Sequence, residues 1–213
     1  MDLLRTMIDF FLHLDRHLSQ IISQYGGWTH LILFLVVFCE TGLVITPFLP
    51  GDSLLFAAGT FAALGSLDVR WIALLLTLAA VLGDTVNYWI GAYVGPRAFN
   101  GEVRFLRKEY LDRAHGFYEK HGGKAIILAR FIPIIRTFAP FVAGVGTMSY
   151  PRFISYNVIG ALLWVGLFVL GGYFFGTIPT VRENFSFVIL AIIVISVLPV
   201  VYETLRAHRS RPA

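Results

Sequence analysis

Apolar and polar positions alternate along this chain in seven stretches, and proline breaks two of them. Residues 1–25 place Leu3, Met7, Phe10, Phe11, Leu14, Leu18 and Ile21 on one helical face. Asp2, Arg5, Asp9, His13, Asp15, Arg16 and His17 fall largely elsewhere. That spacing predicts an amphipathic helix lying in a membrane interface rather than crossing it. Residues 28–64 form an apolar run that carries Glu40, breaks at Pro47 and Pro50-Gly51, and resumes beyond Asp52. The part beyond the break is too short to cross a bilayer, which takes about 20 apolar residues. The pair therefore predicts a re-entrant hairpin, whose non-helical turn must be buried in protein or line a wet cavity.

Residues 71–95 are long enough to span and contain Asp84, Asn87 and Tyr88. Residues 102–121 repeat Val103, Leu106, Tyr110, Ala114 and Phe117 among many charges, which predicts a second interfacial helix. Residues 125–148 are again apolar and broken, with Arg130, Pro133 and Arg136 at the break. Residues 153–176, with Asn157, and 185–205 predict two further spans, ahead of a basic tail at 206–213. The order amphipathic helix, broken pair, full span thus occurs twice, the pattern of an inverted repeat. The expected fold is all-α: a polytopic membrane protein with two facing re-entrant helical hairpins, about three full spans and two amphipathic interfacial helices. Residues 1–213 would form a single membrane domain; the plainer alternative is a bundle with proline-kinked helices.

Composition supports the membrane reading. The 213 residues are 57% hydrophobic and only 14% charged, whereas soluble domains carry about 25% charged residues. The single cysteine, Cys39, excludes a disulfide framework. The net charge of +4 is placed to suit a membrane surface rather than nucleic acid. Lysine and arginine concentrate in 96–124 and in the tail, which predicts a cytoplasmic central loop and C-terminus. Arg5 and Arg16 pull weakly against the external N-terminus this implies. The first residues lack a basic region followed by a small-residue cleavage site, so no removable signal peptide is expected.

Four charges inside the broken segments then require either partners or a function. Glu40 and Asp52 lie in the first segment, Arg130 and Arg136 in the second. An ionised group at a bilayer centre costs from about 3 to over 10 kcal/mol. On an unbroken helix the two arginines would be separated by about 600° of rotation, which puts them on different faces; a break at Pro133 could bring both into one pocket. Guanidinium groups suit a phosphate through paired hydrogen bonds, and a broken helix adds free N–H groups and a positive dipole end. Neutralising nearby acids is the other role open to them. Intramembrane carboxyls carry protons in coupled transporters, which makes Glu40 and Asp52 candidates for proton coupling. Static ion pairing is the alternative, and Asp52 could instead cap a helix beginning near Ser53.

Asp84 either joins this polar site or hydrogen-bonds a neighbouring helix. Asn87, Tyr88 and Asn157 are supporting polar positions, Pro50, Gly51 and Pro133 are hinges, and Trp164 reads as packing. Gly91-x-x-x-Gly95 and Gly172-x-x-x-Gly176 permit close helix approach. The six histidines show no metal-ligand spacing, and no metal or cofactor is expected. No Gly-x-Ser-x-Gly elbow, intramembrane aspartyl-protease signature or lipid-phosphatase cluster occurs, so an enzyme is not expected.

Several motifs carry a resemblance: Phe-Cys-Glu40-Thr-Gly, Pro47-Phe-Leu-Pro-Gly-Asp52-Ser, Gly83-Asp84-x-x-Asn87-Tyr88-x-x-Gly91, and His121-Gly-Gly-Lys-x-x-x-x-x-Arg130-Phe-Ile-Pro133-x-x-Arg136. Ala143-Gly-x-Gly146-x-Met-Ser-Tyr150 and Asn157-x-x-Gly160-Ala-x-x-Trp164 extend it. Over roughly residues 25–180 the chain resembles the DedA family, whose shared region is also called the VTT or SNARE-associated Golgi protein domain. One departure is Ala92, where many members have arginine. The resemblance implies a proton-coupled flippase that moves undecaprenyl phosphate between leaflets of a bacterial inner membrane and supports envelope homeostasis. It places Arg130 and Arg136 on the family's basic positions, and Glu40 and Asp52 on its acidic ones. The expected partners are a membrane lipid, undecaprenyl phosphate or another phospholipid, and protons; association between copies stays open. A proton or cation antiporter, a phospholipid scramblase and a structural scaffold are the rival readings.

Overall fold

The computed structural model describes residues 14–43, 51–99, 122–146, 148–192 and 194–195. Every regular element among them is helical. Helix α1, Leu14–Tyr25, buries Leu18 and exposes Gln20, Ser23 and Gln24; residues 1–13 of the interfacial helix expected at 1–25 lie outside the described residues. It stops at Gly26, which takes the left-handed conformation (φ 49°) that glycine adopts without strain. Helix α2, Trp28–Gly42, follows at once, and the Thr29 hydroxyl donates back to the Ile21 carbonyl. Helix α3, Gly51–Ala63, is buried along nearly its whole length. It begins one residue before Asp52, which therefore lies inside the first turn rather than at a cap ahead of Ser53. A carboxylate there faces the positive end of the helix dipole.

Helix α4, Val69–Phe99, is capped by Asp68, whose carboxylate accepts the Trp71 backbone N–H at 2.8 Å. The second broken segment forms two short helices, α5 (Lys124–Ala129) and α6 (Pro133–Val145). Between them Ile132 is extended (φ −118°, ψ 106°) and Pro133 opens α6. This is the geometry proline imposes: its ring keeps the preceding residue out of the helical region, and its missing N–H is harmless in a first turn. Helix α7 covers Tyr150–Phe175, a short α8 Pro179–Glu183, and α9 residues 185–192.

Among the described residues, two helices are long and apolar enough to cross a membrane, Val69–Gly95 of α4 and Tyr150–Phe175 of α7. They match the spans expected at 71–95 and 153–176. Both expose rows of large apolar side chains, Leu74, Leu78, Leu82 and Trp89 on α4, Leu163, Leu167, Leu170 and Phe174 on α7. Surfaces of that kind belong in lipid rather than water. The span expected at 185–205 is described only as far as residue 195. The interfacial helix at 102–121, the tail at 206–213, and Pro47 and Pro50 lie outside the described residues.

The chain divides into two compact units: Met1–Phe34, Pro50–Leu76 and Val165–Ala213 in the first, Leu35–Leu49 and Thr77–Trp164 in the second. Each unit uses one small-residue motif in the same way. In the first, Gly172 of α7 and Gly176, the residue after its end, lie against the backbone of Phe56 and the side chain of Thr60 on α3, and the Thr60 hydroxyl donates to the Phe56 and Gly172 carbonyls. In the second, Gly91 and Gly95 of α4 lie against the backbone of Phe141 and Val145 on α6. A methyl group at Gly91 would overlap the Phe141 carbonyl. Each motif thus seats a long helix on the second helix of a broken pair, at a spacing only glycine permits.

A buried four-charge site

The second unit holds the site. Because the chain breaks at residues 130–132, Arg130 stands at the C-terminal end of α5, and Arg136 lies in the first turn of α6. A cation is favoured at the first place and disfavoured at the second, where the dipole instead attracts an anion. Arg130 donates through Nη2 both to Asp84 Oδ2 on α4 and to Asn157 Oδ1 on α7. Arg136 donates through Nη2 to Glu40 Oε1 on α2 at 2.5 Å. Both guanidinium groups lie over the ring of Trp164, their carbons 5.7 and 4.7 Å from its centroid.

All four charges are buried, with Glu40, Asp84, Arg130 and Arg136 each 4% exposed or less. Taking such ions from water costs several kcal/mol apiece, and their mutual attraction offsets this only when they are closely paired. The arrangement meets that condition with two cations and two acids, a cluster of zero net charge. Neutral groups fix the frame around it. Asn87 donates to the Thr41 and Thr137 carbonyls at 3.2 and 2.7 Å, joining α4 to α2 and α6. Asn157 donates to the Val81 carbonyl at 3.1 Å, joining α7 to α4. The Tyr88 hydroxyl donates to the Met148 carbonyl, and its ring stacks on Phe153 at 4.5 Å.

The frame does not use every polar atom. Among the described residues, Arg130 Nε and Nη1, Asp84 Oδ1 and Asn87 Oδ1 are buried without a hydrogen-bond partner. Buried polar atoms are satisfied in the great majority of proteins, by protein or by ordered water. Open donors and open acceptors thus belong to one buried cluster.

The sequence expectation paired the arginines with Glu40 or Asp52. The structure pairs Arg136 with Glu40, but Arg130 with Asp84, because α4 carries that acid past the break between α5 and α6. Asp52 and Gly51 belong to the first unit, where both are buried in α3. Sequence reasoning gave Trp164 only a packing role, and missed the Thr41 and Thr137 carbonyls. A signal for Trp164 exists: Asn157, Gly160 and Trp164 recur at helical spacing and share one face of α7. Gly160 lies against Arg130 and Ile127, so that face accommodates the arginine stem between the asparagine and the tryptophan.

Long apolar helices with lipid-suited surfaces around a buried, balanced charge cluster define a helical membrane protein with an internal polar site. The chain belongs to the DedA family: the model of its VTT domain matches residues 49–174. The "Protein DedA" of Escherichia coli K12 is 58% identical over 213 residues, covering 99% of this chain and 97% of the relative. The "Uncharacterized membrane protein ML0287" of Mycobacterium leprae is 42% identical over 178 residues, covering 83% of this chain and 80% of the relative. The "Inner membrane protein YqjA" of E. coli K12 is 38% identical over 154 residues, covering 72% of this chain and 70% of the relative. No solved structure matches the chain.

Proposed function

We propose that this protein is a proton-coupled lipid transporter, a flippase that binds a lipid phosphate between Arg130 and Arg136 and carries it between leaflets. The observation that carries the reading is the convergence of both arginines on Trp164 in a buried site within an apolar protein. Two guanidinium groups at one place, with the positive end of α6 beside them, favour an anion. Glu40 holds Arg136 when the site is empty, and Glu40 and Asp52 are the acids assigned to proton coupling. The reading takes the pairs α2–α3 and α5–α6 as re-entrant hairpins of an inverted repeat. The matching use of Gly91/Gly95 and Gly172/Gly176 supports that repeat. No bond is made or broken in this reading.

The cargo follows from the family resemblance and from size. Undecaprenyl phosphate presents a single phosphate, which suits two arginines, and its chain would remain in lipid. The name of the YqjA relative supports an inner-membrane location, and the basic tail favours a cytoplasmic C-terminus. The test is a flippase assay in proteoliposomes loaded with undecaprenyl phosphate. Wild type should move the lipid, and Arg130→Ala and Arg136→Ala should each slow transport at least tenfold. Variants that transport as fast as wild type would remove the anion site from the mechanism.

A further inference from the structure

The balanced charges of the site constrain what can enter it, an inference that rests on the lipid-phosphate reading. Arg130, Arg136, Glu40 and Asp84 sum to zero when the site is empty. A phosphate headgroup entering with one negative charge would leave the cluster at minus one, inside a region that water does not screen. Uncompensated buried charge is the costliest state such a site can adopt. A monoester phosphate has a second pKa near 6 and can enter singly charged, so one proton restores neutrality. The question is which acid takes it.

Asp84 has an open position beside the arginine that has open donors. Its Oδ2 accepts from Arg130, whereas its Oδ1 is buried and unpartnered, and the Asn87 Oδ1 one helical turn away is likewise an unused acceptor. A proton placed on Asp84 Oδ1 would convert an idle acceptor into a donor within a cluster that has a second idle acceptor. Arg130, meanwhile, spends only Nη2 on Asp84 and Asn157, which leaves Nε and Nη1 for an incoming oxygen. The other charges acting on Asp84 are Arg130 at the break and Arg136 on α6, with Glu40 of α2 bound to Arg136. Helix α7 offers only the neutral Asn157 and Trp164.

We propose that Asp84 is the proton acceptor of the site: it takes one proton on Oδ1 when a phosphate headgroup binds Arg130 through Nη1 and Nε, so that anion and proton enter together and the site stays neutral. Asp84 therefore adds one proton to the pH dependence of binding, beyond the proton that the phosphate itself titrates, and one lipid phosphate is coupled to at least one proton.

The experiment measures binding of a short-chain polyprenyl phosphate to the full-length protein in nanodiscs across neutral pH, for wild type, Asp84→Asn and Glu40→Gln. Asparagine mimics the protonated carboxyl in size and charge. Wild-type affinity should rise as pH falls, by up to about tenfold per pH unit relative to Asp84→Asn, the limit for one linked proton. Glu40→Gln also removes one negative charge and releases Arg136 from its ion pair, so it should flatten the slope only in part, and spectroscopy tells which carboxyl gains the proton. An infrared band of a protonated carboxyl should grow on adding lipid to wild type and be missing in Asp84→Asn, which gives a readout independent of affinity. Asp84→Glu should restore both signals. An Asp84→Asn slope equal to that of wild type, or a slope lost only in Glu40→Gln, would overturn the assignment while leaving lipid binding intact. A wild type that binds no phosphate lipid at any pH would overturn the flippase reading itself, and this inference with it.

Discussion

The guanidinium carbon of Arg136 lies 4.7 Å from the centre of the Trp164 ring, both side chains being buried. A desolvated cation over an indole face is worth about 2 kcal/mol, and Arg130 uses the same ring from 5.7 Å. Trp164→Phe keeps an aromatic face and should cost about 1–2 kcal/mol. Trp164→Leu removes it and leaves a void besides, so about 3 kcal/mol is expected. Chemical unfolding in mixed micelles checks the order, and lipid transport should fall in parallel. Equal losses in the two variants would mean that the ring acts by shape alone.

The Arg130–Asp84 pair predicts strong coupling. Removing one partner leaves a buried charge uncompensated, at about 3–5 kcal/mol. Arg130→Met and Asp84→Leu should each cost that much singly. Together they should cost less than either alone, because an apolar pair of similar volume needs no compensation. A double-mutant cycle on unfolding free energies gives the coupling, and strict additivity would show that the pair does not form. Transport should be lost in all three variants, since a stable double variant still lacks the anion site.

What the sequence made legible, and what it hid, divides along one physical line. Apolar run lengths announced α4 and α7, and Pro133 announced the break between α5 and α6, because hydropathy and proline sterics act locally. The presence of a polar site was legible too, since charges inside apolar runs need partners. Which acid meets Arg130 was not: Asp84 lies 46 positions away in the chain, and its approach depends on Gly91 and Gly95 seating α4 against α6. The carbonyls of Thr41 and Thr137 carry no sequence signal, because every residue has one. Trp164 was hidden for another reason, as tryptophan in an apolar helix is usually packing.

Helix seating itself is testable. Gly91→Ala places a methyl group against the Phe141 carbonyl, and overpacking of this kind costs about 1–3 kcal/mol. Gly166, on α7, has nothing within 4 Å of the position a methyl group would take. Gly166→Ala should therefore be neutral or stabilising by up to about 1 kcal/mol, as alanine is the better helix former. Thermal unfolding in detergent distinguishes the two. Because Gly91 holds α4 and Asp84 in place, Gly91→Ala should also slow lipid transport, whereas Gly166→Ala should not. A Gly91→Ala protein as stable and active as Gly166→Ala would show that the tight contact is not needed.

Pro133 separates stability from site geometry. Replacing it with alanine frees Ile132 to become helical, and the gain in unfolded-state freedom costs only about 0.4–1 kcal/mol. The effect on the site should be larger. If α5 and α6 join into one helix, Arg130 and Arg136 come to lie about 120° apart around its axis, and one of them must leave Trp164. The ion pairs with Asp84 and Glu40 resist that rotation, so the population shifts rather than switches. Misplacing a binding group by an ångström costs orders of magnitude in rate, so transport should fall on the order of tenfold while the unfolding midpoint barely moves. Quenching of Trp164 fluorescence by added phosphate lipid, expected in wild type, should weaken in step. Undiminished transport in Pro133→Ala would mean that the ion pairs alone hold the two arginines together, and that proline is dispensable to the site.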